Sequence, residues 1–355
     1  MQIYSDLGRI WYTKLGRERS ALESWEHVLD IDPTNVHALQ QICEIHRATK
    51  QWHELADTLH RIVDIGAATL DDTTIEHVYS QLGHIYDVQL SQPIDAAEVY
   101  QKIITLNPRS FAAMAAVELI YRREAMWVET VAVMERRVEA YSDPQDKIDQ
   151  LLAIAYTHQT ELDDRDAGTS AFERILELEP MDEYAFLQLE ERHITAERWD
   201  ELIEMYLTRV ESTESDKEQV LLLRKVAQVY DRHLGDLGQA FDALQIAWSV
   251  DFTDRKTADE LERVTAATKR WNELLTAANN ALQEVEDPNI KIAICLSCAK
   301  WYGQELKHPE YAIPYYQQIL ALDPNNVPAM QQMAELYRTT QQWDTLAQVL
   351  GRLVE

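Results

Sequence analysis

Two cysteines three residues apart, Cys295 and Cys298, have the spacing of a zinc half-site or of a dithiol redox pair. A structural zinc site needs four ligands, and the remaining cysteine, Cys43, stands alone. The pair also falls where other stretches of this chain carry apolar core residues, so it reads as two buried thiols on one helix face. His53-Glu-Leu-Ala-Asp57 comes within one residue of a metalloprotease helix, in which histidines four apart hold the metal; aspartate replaces the second. His158 occupies a position that elsewhere carries an aromatic ring, which assigns it to packing. There is no glycine-rich phosphate loop, no Gly-x-Ser-x-Gly and no Ser, His and Asp set at matching spacings. These residues predict a non-enzymatic chain without cofactor or metal. Chemistry is left to charge, and the meaning of charge depends on the elements that position it.

Those elements repeat. Trp52, Trp127, Trp199, Trp271 and Trp343 lie 75, 72, 72 and 72 residues apart, and nineteen residues before each comes Pro33, Pro108, Pro180, Phe252 or Pro324. Between these marks an aromatic or similar ring recurs at Trp11, Tyr86, His158, Tyr230 and Tyr302. Three residues earlier stands Gly8, Gly83, Ala155, Ala227 or Ala299. An invariant leucine follows, at Leu15, Leu90, Leu162, Leu234 and Leu306. A small residue (Ala21, Ala96, Gly168, Ala240, Ala312) then precedes a bulky one by four positions (Trp25, Tyr100, Phe172, Leu244, Tyr316). Small residues let helices approach and large ones fill the space between layers. A fixed period of this size implies stacked units that bury apolar faces only against their neighbours.

Leu7-Gly8-x-x-Trp11 with Ala21, Trp25 and Pro33, and Leu82-Gly83-x-x-Tyr86 with Ala96, Tyr100 and Pro108, resemble the tetratricopeptide repeat family. The resemblance covers the whole chain. The second half of each period is a divergent hairpin, with Leu55, Leu202, Leu274 and Leu346 in place of the usual alanine and Glu118, Glu190 and Glu262 in place of the usual glycine. These bulkier residues predict slightly wider spacing there, with packing angles that alternate between odd and even hairpins. The resemblance implies an all-α, right-handed α-solenoid, a superhelix of about ten hairpins. It would be a single solenoid over 1–355, in units 1–70, 71–145, 146–217, 218–289 and 290–355. The five motif tryptophans, followed at three and seven positions by apolar residues, are expected on a buried face. Three extra residues in the stretch 65–74 predict a surface insertion or a protruding partner contact.

With 33 basic and 61 acidic residues the net charge is −28, which disfavours nucleic acid and anionic membranes. No apolar run reaches the length of a membrane span, and three cysteines do not form a disulfide framework. A cytoplasmic location is the expectation, and an excess of arginine over lysine, 22 to 11, is compatible with a bacterial source. The family resemblance implies that the first helix of each hairpin lines a concave groove. On its inward positions we place Arg9, Arg47, Arg122, Arg123, Arg224, Arg232, Lys256, Arg263, Lys300 and Arg338, against Glu44, Asp87, Asp149, Glu191, Asp231, Asp259 and Glu335. A groove near neutrality on an acidic body suits a protein or peptide of acidic or mixed charge, with arginine able to grip carboxylates in two-pronged fashion. The same positions also suit local ion pairs across adjacent helices. The first helix and the final stretch lack a polar cap, which predicts a piece of a longer protein or possible self-association through the ends. A structural spacer, or a regulatory arm of a larger multidomain protein, is the alternative role.

Overall fold

The computed structural model describes residues 1–66 and 70–354, and among them there are twenty α-helices and no strand. They form two compact units. The first, 1–178, contains α1 (Gln2–Thr13), α2 (Glu18–Ile31), α3 (Val36–Thr49), α4 (Trp52–Gly66), α5 (Asp72–His84), α6 (Pro93–Leu106), α7 (Phe111–Arg123), α8 (Trp127–Ala140), α9 (Pro144–Thr160) and α10 (Arg165–Leu178). The second, 179–355, contains α11 (Glu183–Thr195), α12 (Trp199–Ser212), α13 (Asp216–Val229), α14 (Leu237–Val250), α15 (Arg255–Thr268), α16 (Trp271–Glu284), α17 (Pro288–Lys300), α18 (Pro309–Leu322), α19 (Val327–Thr339) and α20 (Trp343–Val354). Consecutive helices pair into hairpins, as the repeat pattern requires. Residues 67–69, at the centre of the expected insertion, lie outside the described residues.

Local chemistry sets the helix ends. The side chains of Asn35, Asp71, Asp182 and Asn326 each accept from the backbone N–H three residues on, satisfying a donor that the first turn leaves free. Pro93, Pro144, Pro288 and Pro309 occupy the start of a helix, where a missing N–H costs nothing. The prolines of the repeat pattern follow extended residues such as Asp32, Asn107 and Asp323, so the second helix stops just ahead of them.

Odd and even hairpins turn differently. In the even ones the N–H groups of Gln51, Met126, Arg198 and Gln342 bond to carbonyls five residues back, after a left-handed residue, as at a helix C-terminal Schellman turn. In the odd ones the first helix loosens by a residue: Arg17, Gln92, Asp164, Asp236 and His308 reach six residues back, to the carbonyls of Trp11, Tyr86, His158, Tyr230 and Tyr302. After residues 84, 229 and 300 this widening is a full π-helical turn, Ile85–Gln89, Tyr230–Leu234 and Trp301–Glu305. The invariant leucine sits at this turn, immediately before the left-handed residue: Gly16, Ser91, Asp163, Gly235 or Lys307.

Packing follows the small-and-large pattern. A β-carbon on Gly8 would lie 2.7 Å from the Trp25 indole, and one on Gly83 would lie 2.6 Å from the Tyr100 ring, so each glycine is the seat for a ring from the next helix. The motif tryptophans do not follow the expectation of burial. Trp52, Trp127, Trp199 and Trp271 are half-buried and Trp343 is 60% exposed. Each stands at the first residue of its helix, at the edge of the layer, and the deep positions are taken three and seven residues later, as by Leu55 and Leu59. They reach along the array instead: Trp199 stacks on His233 at 3.8 Å and Trp271 lies 6.4 Å from Trp301. The fully enclosed indoles are Trp25, Trp248 and Trp301.

Candidate interaction surface

The cations singled out from the sequence all lie on first helices, or on the turn that ends one, and most are already engaged. Arg9 pairs with Asp6 at 3.2 Å and Arg338 with Glu335 at 2.5 Å, each within one helix. Arg47 holds Glu44 at 2.7 Å and crosses to the next odd hairpin, where it donates to Gln81 at 2.7 Å. Arg122 bonds Glu118 at 3.0 Å, while Arg123 spans to Asp87 at 2.5 Å. In the second unit Arg224 reaches Glu260 at 2.5 Å, Arg263 reaches Asp231 at 2.5 Å, and Lys300 lies 2.8 Å from Glu262 and 3.3 Å from Asp259. These bridges run between first helices of successive hairpins, α13 to α15 to α17, and stitch them into a ladder. The hydrogen bonds that Arg123, Arg224 and Lys300 donate to their partner carboxylates hold these groups above their ordinary range.

Two cations stand apart. Arg232 lies 3.0 Å from the side-chain amide of Gln228, and among the described residues neither it nor the Lys256 ammonium has a carboxylate pair. Arg232 lines a depression of about 300 Å³ with Gln228, Asp231, Glu260 and Arg263, between α13 and α15. A second depression, about 400 Å³, lies between α5 and α7 and is lined by His77, Ser80, Ala112 and Ala116. The structure therefore places Arg224, Arg232, Lys256 and Arg263 on α13, the turn that ends it and α15, with Arg232 and Arg263 lining the same depression.

Three carboxylates outside the set chosen from the sequence anchor the ladder. Glu118 receives Arg137 at 2.6 Å as well as Arg122. Glu190 accepts from the Tyr206 hydroxyl at 2.5 Å and from Lys225 at 2.6 Å, and Glu262 takes Lys300. Burial and this hydrogen bond push the Tyr206 phenol well above its usual range. The signal was available, since these glutamates replace the glycine of the repeat pattern. Arg209 was also missed: buried against Phe186, it binds Glu183 at 2.6 Å and Glu218 at 2.8 Å.

A depression of about 690 Å³ lies between the second helices α14 and α16, lined by Trp248, Phe252 and Ala281. Two departures from the repeat open it: Phe252 stands in the place of proline, and Ala281 in the place held by Arg137 and Arg209. The cysteines are free and buried, with burial pushing Cys43 up to about 12 and Cys295 up to about 11.

The hairpin turns, the Gly8–Trp25 and Gly83–Tyr100 seats and the unbroken repeat define a tandem array of tetratricopeptide-type helical hairpins, an all-α solenoid fold. No family model and no curated protein matches the chain. Among solved structures it is similar to the MamA protein, at 22% identity over 50% of this chain and 91% of that one, with a TM-score of 0.31. The P58(IPK) TPR domain aligns at 16% identity over 99% of this chain and 92% of that one, with a TM-score of 0.28. A tetratricopeptide repeat protein from Parabacteroides merdae aligns at 15% over 75% and 100%, with a TM-score of 0.31. At such scores the fold rests on the chain's own helices and repeat. No helix is long and apolar enough to cross a membrane among the described residues.

Proposed function

We propose that this chain is a protein-binding scaffold, itself catalysing no reaction, that holds an extended peptide or helix of mixed charge along its first-helix face. The observation that carries the reading is the ladder: cations and carboxylates of neighbouring hairpins satisfy one another, while Arg232 lines a 300 Å³ depression with no carboxylate pair and Lys256, at the start of α15, has no ion pair among the described residues. A ligand carboxylate gains most at those two cations, where no internal pair has to be broken. Cationic groups of the same ligand meet exposed carboxylates such as Asp259 and Glu335. Charge reversal at Arg122 and Arg123 is a poor test, because it strands Asp87 and removes one of the two arginines on Glu118. Arg232→Glu with Lys256→Glu leaves the ladder intact. Binding of labelled all-acidic, mixed-charge and all-basic peptides, followed by fluorescence anisotropy, should favour the mixed and acidic ones. The double reversal should weaken them about tenfold or more at unchanged helicity, as loss of charge pairs at an interface does. Equal binding by the reversed protein refutes the reading.

A further inference from the structure

The cleft between successive second helices is present in two periods, and the two copies differ in volume and in charge. In the second period it lies between α6 and α8, holds about 440 Å³, and is lined by Ile104, Pro108, Arg109, Arg136 and Ala140. In the fourth it lies between α14 and α16 and holds about 690 Å³, and the same five positions carry Trp248, Phe252, Thr253, Asn280 and Glu284. Both arginines are gone and a carboxylate has appeared. Met114 and Arg137 of the second period are Ala258 and Ala281 in the fourth, so the larger cleft belongs to the period with the smaller side chains. In the third period the same two positions are filled by Phe186, which is buried, and by Arg209, whose guanidinium lies over its ring at 4.2 Å. Trp248 and Phe252 give the fourth cleft aromatic walls, and Ile246 beside them is 54% exposed. The charge is one-sided as well. α14 and α16 contain no Lys, Arg or His. Of their carboxylates, Asp242 and Glu273 are held by Arg270 at 2.8 and 2.6 Å. Glu284 is exposed, lines the cleft and has no ion pair among the described residues, and Glu286 and Asp287 follow it closely.

We propose that the cleft between α14 and α16 is a second protein-binding site, on the second-helix face, for a segment of another protein that presents one bulky apolar side chain beside lysine or arginine. The apolar side chain packs on Trp248, Phe252 and Ile246, where aromatic and aliphatic surface is available to be taken out of water. The basic neighbour meets Glu284, whose charge is not spent on an internal pair, so no bond has to be broken to receive it. The second period gives the contrast within the same chain: Arg109 and Arg136 border the equivalent cleft there and repel such a segment. The site is independent of the first-helix face, since it uses neither Arg232 nor Lys256 and selects the opposite charge.

The test uses the full chain and two labelled lysine-rich peptides, one with a single central phenylalanine and one with alanine in its place, followed by fluorescence anisotropy. The phenylalanine peptide should bind about tenfold more tightly or better, as burial of one large apolar side chain provides. Ala281→Leu fills the cleft with a side chain of the size that Ile62 has at the same position in the first period, and should abolish the preference for phenylalanine. Ile246→Gln, at an exposed position, should do the same and serves as the second variant if Ala281→Leu loses helicity by circular dichroism. Glu284→Lys should weaken the phenylalanine peptide about threefold or more. Equal affinity of the two peptides for the wild-type chain overturns the proposal, because charge alone then holds them to an acidic protein. So does a preference that survives in the folded cleft variant, or binding that Glu284→Lys leaves unchanged. Arg232→Glu with Lys256→Glu should leave the preference untouched, so failure at the first-helix face and failure here are read apart.

Discussion

Odd and even hairpins solve the same packing problem with opposite materials. In the first two odd hairpins the floor of the first helix is glycine, and a ring from the second helix seats on it: Gly8 under Trp25 and Gly83 under Tyr100. In the even hairpins of the second, third and fourth periods that floor is Glu118, Glu190 or Glu262, and the opposing helix answers with Arg137 or Tyr206 while the next hairpin sends Lys225 or Lys300. Apolar contact is tolerant of sequence but demands volume. A buried carboxylate demands specific partners, because leaving it unpaired is costly. Odd hairpins therefore supply cohesion within a layer, and even hairpins fasten layer to layer through polar groups that also shape the exposed first-helix face.

The contrast can be broken at either side. Trp25→Ala empties a buried seat and should cost about 3–5 kcal/mol in urea unfolding, whereas the exposed motif residue changed by Trp343→Ala should cost less than about 1 kcal/mol. Equal losses would erase the distinction between the enclosed indoles and the motif ones. On the even side, Glu190→Ala should cost about 1–3 kcal/mol, since the enclosed Tyr206 hydroxyl loses its acceptor. Adding Tyr206→Phe should recover part of that loss, and strictly additive effects in the double-mutant cycle would show that the pair is not coupled. Gly83→Ala should fall in a similar or smaller range, about 1–3 kcal/mol, because the new β-carbon must displace the Tyr100 ring.

Smaller effects sharpen the same picture. The Arg209 hydrogen bond, with that of Thr213, holds Glu218 below the ordinary glutamate range. A depressed carboxylate contributes stability above its unfolded pKa and loses it as pH falls through the folded one. Unfolding measured on descending from pH 7 should therefore steepen below the usual glutamate range, and Glu218→Gln should flatten that part of the profile. The mildest change is Ala125→Gly. Ala125 has φ of 55°, a conformation that glycine adopts without steric penalty, so the variant should gain up to about 1 kcal/mol by thermal melting. A loss would indicate that the turn is held by something other than backbone geometry.

The sequence by itself determined the helical period, the pairing of small with bulky positions, and the location of the ten candidate cations on first helices or the turn that ends one. Those features are encoded in residue size and spacing, which act within a few turns of helix. It did not reveal the left-handed residues that end each first helix. Eight of the ten are not glycine, including Lys50, Ala125, Glu197 and Gln341, so their own residue type does not mark them. Only the tertiary structure decided that the motif tryptophans lie at layer edges while Trp248 and Trp301 fill the core, because burial depends on which layer comes next rather than on a residue's own neighbours in sequence. Likewise the cations are visible as a list in the sequence, but for several of them whether they are open or spent is set by carboxylates more than thirty residues away, such as Asp231 for Arg263 and Glu260 for Arg224, which folding alone brings within bonding distance.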